Sequence, residues 1–275
     1  PEADDSTPAP AEDAGATVEA GAADATACDD CEFFVESCDA AELCRSNLFG
    51  SAEDPTTLDT RTHVLTLNGR SDDDVWLTGS GGAIGRFDGH GWHVLSRESQ
   101  ENISGLWLRD GYELAFTKPQ ELYARGLPGL VDPEKNGWAR YGTVTERDDW
   151  AVVSARLRTT WARPEGSSLW IGINTELGYG GSVWRLRDAG EGDFTLENVL
   201  VGKCSAFGWL CKDTLAIHGP NADEIWAVGT RGNVIHITHA ESDEPEVEAV
   251  ESRALVALNS VFALSSSEVW AVGMA

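Results

Sequence analysis

The sequence predicts an all-β protein: a β-propeller of four-stranded antiparallel blades, about four of them plus a truncated fifth, behind a disordered acidic tail. Three observations carry this. The first is a recurring acid–aliphatic–Trp motif ending in Gly: DVWLTG at 74–79, EIWAVG at 224–229 and EVWAVG at 268–273. In the first two copies a further Gly follows three residues on (Gly82, Gly232), and then a second alternating run, AIGRF or NVIHI. Two short apolar alternations around a tight Gly-containing turn form a β-hairpin signature. The second is the spacing. Trp170 in SLWIGI and Ala115 in the weaker copy YELAFT extend the series, so anchors at 76, 115, 170, 226 and 270 stand 39, 55, 56 and 44 residues apart. Periods of about 40–50 residues belong to propeller blades. Nine residues before the anchors lie Leu67, Leu106, Trp161, Ile217 and Val261, a repeated apolar position for an inner strand. The third is that no stretch after residue 60 carries the i, i+3, i+4, i+7 apolar pattern of a helical repeat.

Charge and cysteine bound the surroundings. The chain has 275 residues, 6 Cys and a formal net charge of −26. Residues 1–60 hold 16 of the 46 acids and only one base, Arg45. This balance argues against nucleic acid as a partner, because phosphate binding needs Lys and Arg clusters, and against adhesion to anionic lipid. No run approaches the roughly 20 apolar residues of a membrane span. The chain starts at Pro1 without a basic-then-apolar leader, which fits a leader removed by processing, and with it a lipid anchor.

Taken in order, residues 1–27 are Ala, Asp, Glu, Pro, Gly and Thr with one Val and no aromatic, too few apolar groups to offset ordering: a disordered acidic tether. Residues 28–61 are a Cys-containing segment and linker. Cys28, Cys31, Cys38 and Cys44 surround Phe33, Phe34 and Val35. Two disulfides, a four-thiolate zinc site and free thiols compete; the wide spacing of Cys38 and Cys44 favours disulfides over zinc. The propeller is expected over 62–275, incomplete at the C-terminus. HVLTLNGR, VWLTG, AIGRF and WHVLS make its first blade. ISGLWLRD, YELAFT, ELYAR and WARYG make a degenerate second. VVSARLRTTWA, SLWIGI, SVWRLRD and DFTLENVL make a third with an insertion, NTELGYGG. A fourth spans about 213–250, and a fifth begins near 254. Between the third and fourth, Cys204 and Cys211 enclose six residues; a disulfide there contributes roughly 2–3 kcal/mol on the chain-entropy model. All six Cys then pair, which fits an oxidising compartment.

The segments DVWLTGSGG at 74–82, EIWAVGTRG at 224–232 and EVWAVG at 268–273 resemble the repeats of bacterial secreted β-propellers of the WD40/YVTN/BNR-like group, including the sensor propellers of two-component regulators. The resemblance covers about 62–275 and implies a secreted, periplasmic or cell-surface binding module. The Asp-boxes of sialidase-like propellers do not appear.

Candidate chemistry is sparse, and no cofactor is implied. Asp72, Asp73 and Asp74 form an acidic cluster of calcium-ligating type, but the other repeats place Asn, Ala or Ser there, which favours a solvated turn. His90 and His93, and His236 and His239, are three apart; on a strand that spacing points to opposite faces, so surface histidine is the default. Neither GSGG at 79–82 nor GYGG at 178–181 leads into a helix, against a phosphate cradle. Arg156, Arg158 and Arg163 lie near an inner strand, where an arginine can grip a carboxylate at the central channel. Trp138 and Trp209, in Gly-containing loops off the repeat, are candidate ligand platforms. The leading expectation is a module that binds a protein or glycan. A carbohydrate-active hydrolase or lyase using channel carboxylates and a lectin are the alternatives.

Overall fold

Alternation of period two dominates the chain from Val64 onward, and the strands follow it. In the computed structural model the described residues are 47–51, 53–96, 101–130, 136–141, 144–147, 156–164, 166–174, 182–190, 192–200 and 212–274. They belong to one compact unit, Ser46–Ala275. Two short strands, β1 (Phe49–Gly50) and β2 (Leu58–Asp59), pair in parallel. The first blade is β3 (Val64–Ser71), β4 (Asp74–Gly79), β5 (Ile84–Phe87) and β6 (Trp92–Ser96). The second is β7 (Gly105–Arg109), β8 (Tyr112–Lys118), β9 (Glu121–Arg125) and β10 (Ala139–Tyr141). A strand outside the expected set, β11 (Val144–Arg147), runs parallel to β15 and makes the third blade five-stranded, with β12 (Arg156–Trp161), β13 (Ser168–Asn174), β14 (Val183–Gly190) and β15 (Asp193–Asn198). The fourth is β16 (Thr214–Asn221), β17 (Glu224–Gly229), β18 (Val234–Thr238) and β19 (Glu246–Ala249). The fifth is the hairpin β20 (Ala257–Ser265) and β21 (Glu268–Met274).

The second strand of a blade reads as a nearly continuous apolar run because both its faces are covered: Ser168–Ile173 are all buried. One face meets the preceding blade and the other the following one. The anchor tryptophans take the following side. Trp76 packs with Leu106, Leu108 and Trp138 of the second blade, and Trp170 with Ile217 and Ile225 of the fourth. Trp226 packs with Leu258 and Val261 of the fifth. Exposure rises along the array as cover thins: Trp76 and Trp170 are buried, Trp226 is half-buried rather than sealed, and Trp270 is 64% exposed. At the other end Leu67 is exposed, although Leu48 and Leu58, from the stretch read as linker, cover its neighbours Leu77 and Ala83.

Pairing corrects one anchor. Leu67 lies opposite Leu77 and Asn68 opposite Trp76, whereas Leu106 lies opposite Ala115 and Trp107 opposite Leu114. Leu114, not Ala115, therefore stands at the tryptophan position of the second blade. The two turns are equally long, but β3 carries a bulge between Gly69 and Ser71 that β7 lacks, so counting from the inner strand slips by one.

Each Gly of the motif has its own cause. Gly229 is extended, at φ −167°, but the inner strand crosses it so closely that a Cβ would stand 1.8 Å from the Asp213 carbonyl oxygen. Gly79 and Gly273 meet the His63 and Ala257 oxygens in the same way. The turn after them has two consecutive residues in the left-handed region, Gly81 and Gly82 in the first blade, Arg231 and Gly232 in the fourth. Only the second of each pair is always Gly.

Neighbouring blades are clasped by arginines at the inner-strand ends. Arg70 Nη1 donates to the Arg109 carbonyl (2.6 Å), Arg109 Nη1 to the Pro164 (3.3 Å) and Gly166 carbonyls, and Arg163 Nη2 to the Pro220 carbonyl. Between the fourth and fifth blades the clasp changes. Ser266 Oγ donates to the Glu224 carboxylate, and the Ala263 N–H donates to His218 Nδ1 at 3.1 Å.

Candidate functional site

On the face carrying the β3–β4 and β7–β8 turns, a polar cleft of about 630 Å³ opens where the first two blades meet. Its walls include Arg70 from the end of β3, Asp110 from the β7–β8 turn, Glu113 on β8, Arg125 at the end of β9 and Asn136 from the following loop. Glu113 is buried, and each of its oxygens faces a guanidinium: Oε1 lies 2.5 Å from Arg70 Nη2 and Oε2 lies 3.3 Å from Arg125 Nη1. Arg70 also reaches Asp74 at 2.6 Å, and Asp74 takes Arg86 at 2.8 Å and the Trp76 indole N–H at 2.8 Å. Arg86 and Arg125 both lie over the Trp76 ring, at 5.4 and 5.5 Å from its centre, within cation–π range.

Burial pushes the Glu113 carboxyl up, against the pull of Arg70 and Arg125. Burial acts on Asp74 too, but hydrogen bonds from Arg70, Arg86 and Trp76 outweigh it and hold that carboxyl below its ordinary value. Asp110 is exposed at the mouth. Asn136, at φ 53°, donates Nδ2 to the Leu95 carbonyl at 2.6 Å and offers its own carbonyl to Arg125 Nε at 3.1 Å. The cleft therefore presents hydrogen-bonding groups of both signs on a cross-braced frame.

A second surface is an aromatic row across three inner strands. His218 stands between Trp161 at 5.6 Å and Phe262 at 4.8 Å, ring centre to ring centre. Each member lies directly opposite an anchor tryptophan: Trp161 opposite Trp170, His218 opposite Trp226, Phe262 opposite Trp270. Burial and the Arg163 charge lower the His218 pKa, and its Nδ1 must stay unprotonated to accept the Ala263 N–H. The folded protein thus binds this proton less well than the unfolded chain, whose histidine titrates near 6.5. The His218 contribution is full above about pH 6.5 and is lost as pH falls through the lower folded value. Urea titrations at descending pH should show stability dropping in that window, with a shallower drop in His218→Gln. An unchanged slope in the variant would remove His218 from the account.

The residues singled out from sequence separate. Trp138 is a correction: at 2% exposure it is core, edge-on to Trp76 with ring centres 6.2 Å apart, so it offers no ligand platform. Arg158 is exposed, at a bulge in β12; Arg156 is exposed too, and Arg163 serves the inter-blade clasp. Asp74 is an ion-pair hub rather than a solvated turn residue; Asp73 accepts from Ser71 Oγ at 2.5 Å. His93 pairs with Asp88 at 2.8 Å. His236 stacks on Trp226, centres 4.0 Å apart, and meets Glu224 at 3.0 Å. Cys28, Cys31, Cys38, Cys44, Cys204, Cys211 and Trp209 lie outside the described residues. Among the described residues no group of three His, Cys, Asp or Glu is placed to hold a metal, and no helix is long and apolar enough to cross a membrane.

Sequence reading missed the bases. The residue opposite the anchor tryptophan is Arg86, Arg185 and His236 in the first, third and fourth blades. The signal was present: Asp74 and Arg86, Glu113 and Arg125, and Glu224 and His236 are each twelve residues apart.

No family model and no curated protein matches the sequence. Solved structures do. YCF48 bound to D1 peptide is 16% identical over 79% of this chain and 65% of that one, with a TM-score of 0.48. The extracellular domain of the hybrid two-component system BT3049 from B. thetaiotaomicron is 14% identical over 78% of this chain and 28% of that one, at 0.49. The β-propeller domain of Cps50 (Swd1) from Myceliophteria thermophila is 15% identical over 78% of this chain and 64% of that one, at 0.50. The chain thus spans less than two thirds of the length of each. At such identities the likeness concerns fold alone, and with the blade topology it makes the chain a β-propeller, as its repeats imply.

Proposed function

We propose that this propeller is a binding module that takes a polypeptide partner in the cleft between its first two blades. The observation that carries this is the state of the cleft's buried carboxylate. Both oxygens of Glu113 are engaged by arginines, so the cleft is built to present fixed polar groups rather than a free acid or base. Exposed Asp110 and the net charge of −26 favour a partner with basic groups, steered from a distance. The secreted or cell-surface setting rests on the six cysteines and the acidic tether.

A hydrolase is the second reading, and one observation favours it: Glu113 is a carboxyl raised by burial beside a cleft, the profile of a general acid. One set of assays on the oxidised chain separates the readings. Peptide and glycan arrays identify the ligand class, and Asp110→Lys, at an exposed site, should weaken peptide binding at least about fivefold without lowering Tm. Binding confined to glycans makes the chain a lectin. Turnover of a polysaccharide that disappears in Glu113→Gln makes it a hydrolase. Titration that finds six free thiols in protein isolated from its host removes the support for secretion.

A further inference from the structure

The cleft between the first two blades has a charge balance of its own. Three guanidiniums, those of Arg70, Arg86 and Arg125, face two carboxylates, those of Asp74 and Glu113. In a chain of net charge −26 this frame is a local positive point, with one guanidinium uncompensated. Asp110 stands at the mouth, outside the frame, exposed and without a partner among the described residues.

The two arginines of the cleft wall are not equally engaged. Arg70 donates from all three nitrogens: Nε to Asp74 at 2.6 Å, Nη1 to the Arg109 carbonyl at 2.6 Å and Nη2 to Glu113 at 2.5 Å. Arg125 donates Nε to the Asn136 carbonyl at 3.1 Å and Nη1 to Glu113 at 3.3 Å, and its Nη2 meets no acceptor among the described residues. Its side chain is 33% exposed. The group is therefore held by two hydrogen bonds and the Trp76 ring while one nitrogen stays open. A guanidinium fixed in this way loses little freedom on taking a further acceptor.

The rest of the wall lets a main chain come close. Gly111, Gly126 and Gly137 line the cleft, at φ 93°, 87° and 83°. Nothing stands within 4 Å of a Cβ at Gly111, whereas a Cβ at Gly126 would strike the Gly111 carbonyl oxygen. These surfaces are backbone, with no side chain to hold a partner's chain away.

We propose, resting on the binding-module reading above, that the cleft anchors its partner by a carboxylate and a base of one polypeptide segment. The carboxylate accepts from Arg125 Nη2, and the base pairs with Asp110. A carboxylate is the acceptor that suits a guanidinium, and its single charge matches the single uncompensated charge of the frame. It belongs to an Asp or Glu side chain or to the segment's own C-terminus. A segment with a base alone leaves Arg125 unanswered, and one with an acid alone meets the Asp110 charge.

Calorimetry on the full chain tests this with short blocked alanine peptides that carry one lysine and one glutamate at varied spacing, beside lysine-only and glutamate-only controls. At least one mixed peptide should bind at least about fivefold more tightly than either control. Exchanging its glutamate for glutamine leaves the folding of the chain untouched and should remove that gain, as should Arg125→Gln in the chain. In Asp110→Asn the glutamate-only peptide should bind as well as the mixed one. A lysine-only peptide with a free C-terminus that recovers the gain makes the terminus the source of the carboxylate; a gain confined to the internal glutamate makes it a side chain. Equal binding of mixed and lysine-only peptides, or a gain that survives Arg125→Gln, overturns the inference and leaves the cleft a site for basic segments. Binding by none of the peptides overturns the reading of the cleft as well.

Discussion

Replacing Trp138 by Ala should unfold the protein about as readily as replacing Trp76, at a cost of about 3–5 kcal/mol in each case, because truncating a buried aromatic leaves a cavity that the surroundings only partly fill. Both side chains are at most 2% exposed and touch edge to face. Such pairs contribute about 0.5–1.5 kcal/mol beyond area burial. Trp76 carries an extra load, since Arg86 and Arg125 lie over its ring and its indole N–H bonds to Asp74. Trp270→Ala, at a position 64% exposed, should cost less than about 1 kcal/mol, and half-buried Trp226 should fall between. Urea denaturation of the four variants tests the order. If Trp138→Ala melts like the parent and loses a ligand instead, Trp138 is a surface platform after all, and the seam between the first two blades is wrongly drawn.

Gly229→Ala should cost about 3 kcal/mol or more while removing no contact at all. The added methyl would meet the Asp213 carbonyl oxygen at 1.8 Å and the Thr214 Cα at 3.2 Å. These are backbone atoms, which cannot swing aside as the end of a long side chain does. Conformation is not at issue, since the φ of −167° is open to any residue. Gly91→Ala is the control: nothing stands within 4 Å of its Cβ position and its φ is not positive. Chain-entropy loss in the unfolded state should leave that variant unchanged or up to about 1 kcal/mol more stable. Equal melting temperatures for the two alanine variants would mean that β16 does not cross Gly229 as closely as described.

Fold and site were unequally legible in the sequence. The hairpins could be read because one motif states both ends of a strand and the turn between: the acid, the tryptophan and the two glycines of EIWAVGTRG all have local causes. The strand order followed from repetition. The slip at Ala115 arises where the repeat lacks its tryptophan, so that the loss of the inner-strand bulge is invisible until Leu106 is seen opposite Ala115. Trp138 was misread for a different reason. It stands in a Gly-flanked loop outside the motif, and its burial comes from Trp76, sixty-two residues earlier. The cleft was missed for the same physical reason, since Arg70, Glu113 and Asn136 meet only when separate blades pack. The pairing of acid and base is legible in principle, since Asp74 and Arg86, Glu113 and Arg125, and Glu224 and His236 keep one spacing of twelve.

The inter-blade clasps bear on how such a chain tolerates divergence. The three between the first four blades each donate an arginine N–H to a main-chain carbonyl: that of Arg109, of Pro164, of Pro220. Every residue type owns that acceptor, proline included. A blade can therefore exchange nearly every side chain at its turn and still be held by its neighbour, provided the backbone path is kept. Selection on the joint falls on one partner only, and substitutions accumulate on the other without a matching change. Repeats joined in this way can differ in sequence while remaining fitted in space, as do the first and second blades, one with a complete motif and the other with scarcely any.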